Sequence, residues 1–211
     1  MTAPAKRDIV FLLADAGMEQ MLLGFLGRPR FHLSLGCGPF EFDPREDVFV
    51  AQTRDPGVYR MAREYLRPFE RTHRRAVVML DADWAGSPGA DAIHKHITRC
   101  LTEAWTEFAV VVIDPELEAW IWQDSPQVAQ ALKCPPDFRR ILAESQHWPW
   151  DAAKPPRPKE ALEHLRRPPY RADGSRAAFR RLAARISVRH CEDAAFNLLR
   201  DTLRTWFPED A

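Results

Sequence analysis

Hydrophobic residues of this chain gather in short uninterrupted runs that alternate with stretches of helical spacing. The runs lie at residues 9–13, 76–80 and 108–113, and each contains β-branched residues and is too short for a buried helix. Such runs are typical of parallel strands that are covered on both faces. A fourth run, at residues 47–52, is a weaker strand candidate.

Apolar positions at three- and four-residue intervals follow these runs. They predict helices over residues 19–26, 58–69 and 92–105. Strand followed by helix, repeated along the chain, is typical of an open, mainly parallel α/β sheet with right-handed crossovers. The segment 31–44 fits this alternation poorly and is either an extra strand or an inserted loop.

The pattern changes after Asp114, where strand-like runs give way to helical spacing and a proline-rich stretch at residues 148–158. Helices are predicted in five further segments: 116–123, 126–132, 158–166, 175–185 and 194–207. We therefore predict an α/β core over residues 1–125, flanked by helices, and a basic helical extension over residues 126–211 that packs on this core.

Composition is that of a soluble globular protein. The 211 residues are 45% hydrophobic, and no apolar stretch approaches the roughly 18 residues that a membrane-spanning helix needs. The first run is too short for a secretory signal. The four cysteines form no Cys-x-x-Cys pair, which argues against structural zinc and a disulfide framework, and His190 beside Cys191 is interpreted as structural. We expect a cytoplasmic protein with reduced cysteines and no membrane contact.

Charge is balanced overall but not along the chain. Lys plus Arg and Asp plus Glu number 30 each, so the formal net charge is zero. Residues 1–120 contain 14 basic and 18 acidic residues, and residues 121–211 contain 16 and 12, so the two parts carry −4 and +4. Without a global field, any contact with a polyanion has to be local.

Acidic residues follow each of the three strong hydrophobic runs. The groups are Asp15 and Glu19, then Asp81 and Asp83, then Asp114, Glu116 and Glu118. Ligands of open α/β sheets bind outside the carboxyl ends of the strands. Carboxylates brought together there repel one another unless a hard divalent cation lies among them, and oxygen-only ligation suits Mg²⁺ or Mn²⁺ rather than zinc. The pattern therefore predicts a metal site at this edge of the sheet.

Each acidic group taken alone has an ordinary explanation. A single acid after a strand is usually a helix N-cap or a turn residue, and Asp114 before Pro115 fits that description. The metal-site prediction depends on the coincidence of three acidic strand ends. It requires Asp15, Asp81 and Glu118 to lie at the same edge of the sheet.

Three motifs in this order resemble a known family. A strand followed by acid-x-x-x-Glu (LADAGMEQ), a strand with Asp-x-Asp (VVMLDAD) and a strand with Glu-x-Glu-Ala-Trp (VVIDPELEAWI) are similar to Toprim-like proteins of the DUF4276 type, relatives of the Toprim nucleases found in bacterial anti-phage systems. Pro158-Lys159 with Leu162 resembles the Pro-Lys-x-x-Leu segment of that family, and residues 191–203 resemble its closing helix.

The resemblance implies a Toprim-like sheet and a metal-dependent nuclease that cleaves or nicks DNA or RNA in anti-phage defence. Carried across residue by residue, it implies that Asp15 acts as general acid or base with support from Glu19. It also implies that Asp81 and Asp83 hold Mg²⁺ or Mn²⁺, with Glu118 as a supporting acid. An ATPase or another subunit of a defence system is the implied protein partner, and oligomerisation is left open.

The chain departs from the family at the first strand. The family has Glu where this chain has Asp15, and Gly where it has Ala16. Aspartate is one methylene shorter, which reduces its reach toward a phosphate-bound water. The alternative function is therefore a catalytically degenerate copy that serves as a binding or scaffold subunit of a multi-protein defence complex.

A polyanionic substrate has to be held by cations around an acidic site. The basic C-terminal part supplies candidates, of which Lys159 is the first and Arg166 and Arg167 follow. Aromatic side chains that can stack on bases are Trp148, Trp150 and Tyr170. Arginine-rich helices are most often solvated faces, so this nucleic-acid-binding prediction competes with an ordinary structural explanation.

Overall fold

The computed structural model describes residues 5–189 and 191–209, and His190 lies outside them. Within these residues the chain forms one four-stranded, all-parallel sheet in the order β2-β1-β3-β4. The strands are β1 (Arg7–Leu13), β2 (Val48–Val50), β3 (His73–Asp81) and β4 (Glu107–Ile113). The predicted α/β class with an open parallel sheet flanked by helices is confirmed, and the weaker strand candidate is an edge strand of that sheet.

Ten α-helices accompany the sheet in the same residues. Those of the first part are α1 (Ala16–Leu26), α2 (Phe31–Leu35), α3 (Pro44–Asp47), α4 (Arg54–Leu66) and α5 (Ala90–Leu101). Those of the second part are α6 (Pro126–Leu132), α7 (Phe138–Glu144), α8 (Pro158–Arg166), α9 (Arg176–Ala183) and α10 (Ala194–Trp206). Short 3-10 turns occupy Arg67–Phe69 and Leu117–Trp120.

Three segments add to or differ from the sequence prediction. Of the two alternatives for segment 31–44, the inserted loop is the nearer, since the segment contains the short helix α2 and irregular chain rather than a strand. The segment 116–123 contains one 3-10 turn instead of a helix. All its residues from Leu117 to Trp122 except Glu118 are buried, so they form no single apolar face of the kind that the prediction assumed. The helix α7 was not predicted, since its Arg139 is buried like an apolar residue.

The sheet is the centre of one hydrophobic core. The last five residues of β1, 9–13, have no exposed surface, which is what strands covered on both faces require. On one face α4 and α5 pack together against β3 and β4. α1 packs on α9, and α10 packs against β4. Among the described residues, no helix is long and apolar enough to cross a bilayer, and all four cysteines are free thiols.

The C-terminal extension packs closely on the core. Phe196 of α10 contacts Phe25 and Trp120, with ring centroids 5.2 and 5.3 Å apart. α1 and α9 approach so closely that a Cβ added at Gly24 would lie 2.5 Å from the Cβ of Ala183. Residues of both predicted parts therefore share one hydrophobic cluster.

A buried ion pair closes the amino-terminal edge of the sheet. Asp47, which has no exposed surface, accepts hydrogen bonds from the Arg7 guanidinium, from His73 Nε2 at 3.2 Å and from the Asp43 N–H at 2.6 Å. Burial works to raise the pKa of Asp47, but the bonds from Arg7 and His73 outweigh it and hold this pKa at about 2. Asp47 thereby ties the starts of β1, β2 and β3 together.

Candidate active site

The predicted acids lie where the sheet reverses its winding direction. The chain passes from β1 to β2 at one edge and from β3 to β4 at the other. With right-handed crossovers, the helices that follow β1 and β3 lie on opposite faces, and the carboxyl ends of two such strands are where open α/β sheets bind ligands. Leu13 pairs with Met79, so Asp15 and Asp81, each two residues further on, are neighbours at this point.

Asp81 ends β3 and is the acid on which the charges of the other site residues act. Its Oδ1 atom is buried and, among the described residues, accepts no hydrogen bond. Burial raises the pKa of Asp81 well above its usual range, and the charges of Asp55, Asp15, Glu118 and Glu116 raise it further. A buried carboxylate surrounded by like charges destabilises a fold unless a cation or a proton compensates it.

Asp55 is a member of this cluster that the sequence analysis missed. It lies in the first turn of α4, and its Oδ1 accepts a hydrogen bond from the Asp81 N–H at 2.8 Å. Burial raises the pKa of Asp55, and the charge of Asp15 adds to this effect. Asp55 follows β2, just as the other acids follow their strands. Because β2 has only three residues and a weak hydrophobic pattern, the sequence did not indicate that Asp55 follows a strand.

Glu116 and Glu118 enter the cluster from the turn after β4. Burial is the main cause that raises the pKa of each, and the charge of Glu116 also acts on Glu118. The backbone bond from Asp83 N to Pro115 O, at 2.9 Å, ties this turn to the loop after β3. The loops at the ends of β3 and β4 are therefore held side by side, and their acids with them.

Three of the predicted catalytic and metal-binding residues belong to this cluster, and two lie outside its centre. Asp15, Asp81 and Glu118 lie at the same edge of the sheet, and the charge of Asp15 acts on both of the others. Asp83 is exposed on the loop after β3. Glu19 is half-buried on α1, accepts a hydrogen bond from Gln20 Nε2 at 3.3 Å, and is not among the four charges that act most strongly on Asp81.

Asp15 has an ordinary structural task in addition to its place in the cluster. It is the N-cap of α1, and its Oδ1 accepts hydrogen bonds from the N–H groups of Gly17 at 2.6 Å and Met18 at 2.9 Å. A carboxylate at this position also interacts favourably with the helix dipole. Both capping bonds use one carboxylate oxygen, so Oδ2 takes no part in the cap.

Of the three predicted cations, Lys159 borders the acids and the two arginines do not. The Lys159 N–H donates to Glu116 Oε1 at 3.0 Å, and Lys159 Nζ lies 3.8 Å from Glu116 Oε2. Arg166 and Arg167 lie at the other end of α8, about 10 Å further along the helix axis. Arg166 forms an ion pair there with Glu163 at 2.5 Å, and Arg167 is exposed.

The predicted stacking residues have different exposures. Trp148 is buried, while Trp150 is 67% exposed, and the Arg139 guanidinium lies between their rings at 4.4 and 4.5 Å from the two centroids. Tyr170 stacks on His164 with ring centroids 5.7 Å apart. Trp150 is thus the one of these three with a large exposed ring surface.

The C-terminal extension also holds the segment 119–122, which follows Glu118, through three hydrogen bonds. Lys154 Nζ donates to Ala119 O at 2.6 Å, Trp120 Nε1 donates to Asp193 Oδ1 at 2.9 Å, and Trp122 Nε1 donates to Pro158 O at 2.9 Å. Burial lowers the pKa of Lys154. From the sequence, Lys154 was one of the basic residues of the C-terminal part available to a polyanion, and its bond to a backbone carbonyl is one that no side-chain pattern reveals.

Replacing Lys154 by methionine is expected to loosen the turn that carries Glu118. The Ala119 carbonyl would lose its ammonium partner, a bond worth about 1–2 kcal/mol, so the turn would open about tenfold more often. Hydrogen exchange of the Ala119 and Ile121 amides measures this opening. The exposed Lys95 provides the control, and equal protection in Lys154→Met and Lys95→Met would contradict the expectation.

The donor set of the cluster fits a hard cation, although the side chains do not yet converge on one point. All members offer carboxylate oxygens, which suit Mg²⁺ or Mn²⁺, and Asp81 Oδ1 has a free lone pair in a buried position. In the part of the chain that the structure describes, no three His, Cys, Asp or Glu side chains are arranged to ligate a single ion. Binding a cation therefore requires these carboxylates to rotate toward it.

Comparison of the chain with protein-family models, curated proteins and solved structures gives no match. The function has to be inferred from the site itself. Its distinctive property is a group of five mutually repelling carboxylates at the switch point of a parallel sheet, with one lysine at the rim.

Proposed function

We propose that this protein is a Mg²⁺- or Mn²⁺-dependent nuclease, similar to Toprim nucleases, that cleaves or nicks DNA or RNA in bacterial anti-phage defence. The observation that carries the proposal is the buried, unpartnered Oδ1 of Asp81 in the midst of four other carboxylates. A cytoplasmic location and an ATPase or another defence subunit as partner belong to the same proposal.

The contrast with Asp47 supports this proposal. Asp47 is a fully buried acid at the opposite edge of the sheet, and Arg7 and His73 compensate its charge. Asp81 has four acids around it instead. The charge of Asp47 is compensated within the fold, whereas the charge of Asp81 is not. The position of Asp81 is therefore suited to bind a cation from solution.

The residues of the site divide the chemical work of phosphodiester cleavage. Asp81, Asp83 and Glu118 are the proposed metal ligands, and a bound cation would compensate charge on the phosphoryl oxygens and the attacking and leaving oxygens. Asp15 Oδ2 is the proposed acceptor of the proton of the attacking water. Lys159 at the rim would hold a non-bridging phosphate oxygen by charge-assisted hydrogen bonding.

The proposal also gives Asp55 and Glu116 a part. Asp55 fixes the backbone of Asp81 through its N–H and adds negative charge beside it. Glu116 holds the start of α8, and with it Lys159, against the site. Glu19 is one turn of α1 further from the strand end than Asp15 and is proposed as a supporting acid only.

A second candidate function is a non-catalytic binding or scaffold subunit. It is favoured by the capping role of Asp15, because the hydrogen bonds from the Gly17 and Met18 N–H groups already give this carboxylate a structural task at the start of α1. In that case the acidic cluster would be a remnant of an active ancestor, and partner binding would be the retained activity.

Cleavage assays separate the two candidates. Purified protein with added Mg²⁺ or Mn²⁺ is expected to nick plasmid DNA or cleave RNA, and EDTA is expected to stop the reaction. Asp81→Ala combined with Asp83→Ala should be inactive. The exposed Asp91 on α5 gives the matched control, Asp91→Ala, which should retain wild-type activity. Wild-type protein that is inert on DNA and RNA with either metal would favour the scaffold.

A further inference from the structure

A cleft of about 570 Å³ opens directly beside the acidic cluster. One wall is the loop after β3, with Asp83 and Trp84, and the opposite wall is the start of α8, with Arg157 and Lys159. Glu116 lies between the two walls and belongs to the cluster and to the cleft. The volume falls within the range of about 300–1,000 Å³ that is typical of small-ligand pockets.

The aromatic wall of the cleft is fixed in position. Trp84 is half-buried and contacts Tyr59, with ring centroids 6.0 Å apart, and Tyr59 in turn contacts the tilted His96 ring at a centroid distance of 4.5 Å. The loop that carries Trp84 is closed by the Ser87 N–H, which donates to Trp84 O at 3.0 Å. A supported indole at the border of a polar cleft offers a preorganised apolar surface for a flat ligand.

The cationic wall is only weakly engaged with the protein itself. The side chains of Arg157 and Lys159 are 75% and 63% exposed. Arg157 contacts Glu160 at 3.2 Å, and Lys159 contacts Glu116 at 3.8 Å. Exposed pairs of this kind contribute about 0–1 kcal/mol, so an incoming phosphate can replace the carboxylate partners at little cost.

We propose that this cleft binds one unpaired nucleotide of a single-stranded nucleic acid, with its base on Trp84 and its phosphate between Arg157 and Lys159. The inference rests on the proposed nuclease function and specifies the substrate class. A base within a duplex has both faces covered by its neighbours and cannot reach an indole, whereas an unpaired base can. The adjoining phosphate then lies next to the acidic cluster.

Binding of short oligonucleotides tests the proposal. The probes are a fluorescein-labelled 12-nucleotide DNA strand, the RNA of the same sequence, and the corresponding 12-base-pair DNA duplex, all measured by anisotropy in Ca²⁺ to prevent cleavage. At least one of the two single strands is expected to bind about tenfold or more tightly than the duplex. Trp84→Ala should weaken that binding about tenfold, the cost of losing one base stack, while Trp84→Phe should retain most of it.

The exposed Leu33 on α2 provides the control, because Leu33→Ala removes a solvent-facing apolar side chain that does not line the cleft and should leave affinity unchanged. Equal affinity for single strands and duplex, unchanged binding by Trp84→Ala, or the same loss in Leu33→Ala would overturn the proposal. AMP that displaces the strand at equal molar concentration would overturn it too, and would assign the cleft to a free nucleotide.

Failure of this proposal is distinguishable from failure of the nuclease function. Thermal stabilisation by Mn²⁺ in the absence of oligonucleotide reports on the acidic cluster alone. A Mn²⁺ response without preference for single strands would leave the nuclease proposal standing and remove the substrate assignment. The melting temperature of Trp84→Ala without ligand shows whether the variant folds, and Trp84→Phe tests the ring requirement if it does not.

Discussion

Replacing Asp81 by asparagine is expected to stabilise the metal-free protein and to abolish its metal response. Asparagine keeps the shape of the side chain and removes a buried charge that four carboxylates repel. The free energy of unfolding without metal should rise by about 1–3 kcal/mol. Stabilisation by Mn²⁺ should disappear, and metal-dependent cleavage should fall at least about a hundredfold.

The pH dependence gives this prediction a definite sign. The pKa of Asp81 is raised in the folded protein, so the folded state binds a proton that the unfolded chain releases near pH 4. Wild-type stability without metal should therefore fall as pH rises from about 4 through the raised pKa. The asparagine variant should show a shallower fall in stability, because it lacks the contribution of the Asp81 carboxyl. Some fall should remain, because the pKa values of Asp55, Glu116 and Glu118 are also raised.

Urea unfolding in EDTA measures both the change in stability and its pH slope. It is carried out at several pH values between about 5 and 8, which lie above the ordinary carboxyl pKa. Asp151→Asn, at an exposed position outside the helices, serves as the control and should change neither the stability nor its pH slope. A destabilised Asp81→Asn with the wild-type pH slope would mean that the carboxylate is compensated within the fold, and the metal-site hypothesis would lose its main support.

Replacing Asp47 by alanine is expected to have the opposite effect. The change leaves the Arg7 guanidinium and the buried His73 without their acceptor and removes the contact that joins the starts of three strands. Breaking a buried pair by removing one partner typically costs 3–5 kcal/mol. Because Arg7 is 30% exposed, about 2–4 kcal/mol is the expected loss here.

Acid unfolding checks the electrostatic part of that loss. The pKa of Asp47 is about 2, below the value of about 4 expected in the unfolded chain, so its stabilisation is present above pH 4 and is lost as pH falls toward 2. Asp47→Ala should therefore lose less of its remaining stability over that interval than the wild type. Glu46→Ala, an exposed neighbour on α3, is the control, and an equal loss in both variants would refute the role assigned to Asp47.

Much of the fold could be predicted because strands that are buried on both faces leave a strong sequence signal. Residues 9–13, 76–80 and 108–113 all lie in parallel strands of the sheet. Elements whose burial depends on distant partners were harder to foresee. α7 is an example, because its Arg139 is buried through bonds to the carbonyls of Trp148 and Pro149.

The site was predictable where acids follow strong strands and not where the contact is made by backbone atoms. Asp15, Asp81 and Glu118 could be assigned to the same edge from sequence order alone, since parallel strands end together. Asp55 was hidden behind the three-residue strand β2, and its role is to accept a backbone N–H. The separation of Lys159 from Arg166 and Arg167 follows from the length of α8, which sequence proximity does not convey.

The contacts that fix the turn at Leu117–Trp120 have a consequence for biosynthesis. Lys154 and Asp193 hold this turn by hydrogen bonds to Ala119 and Trp120, and the Lys159 N–H bonds to Glu116 just before it. These three residues lie in segments that a ribosome makes after all four strands. A nascent chain that ends before them has its four strands but not the supports that hold Glu118 beside Asp81. Under the proposed nuclease function, such a chain is expected to be inactive, because the residues that support the turn after β4 are synthesised after all four strands.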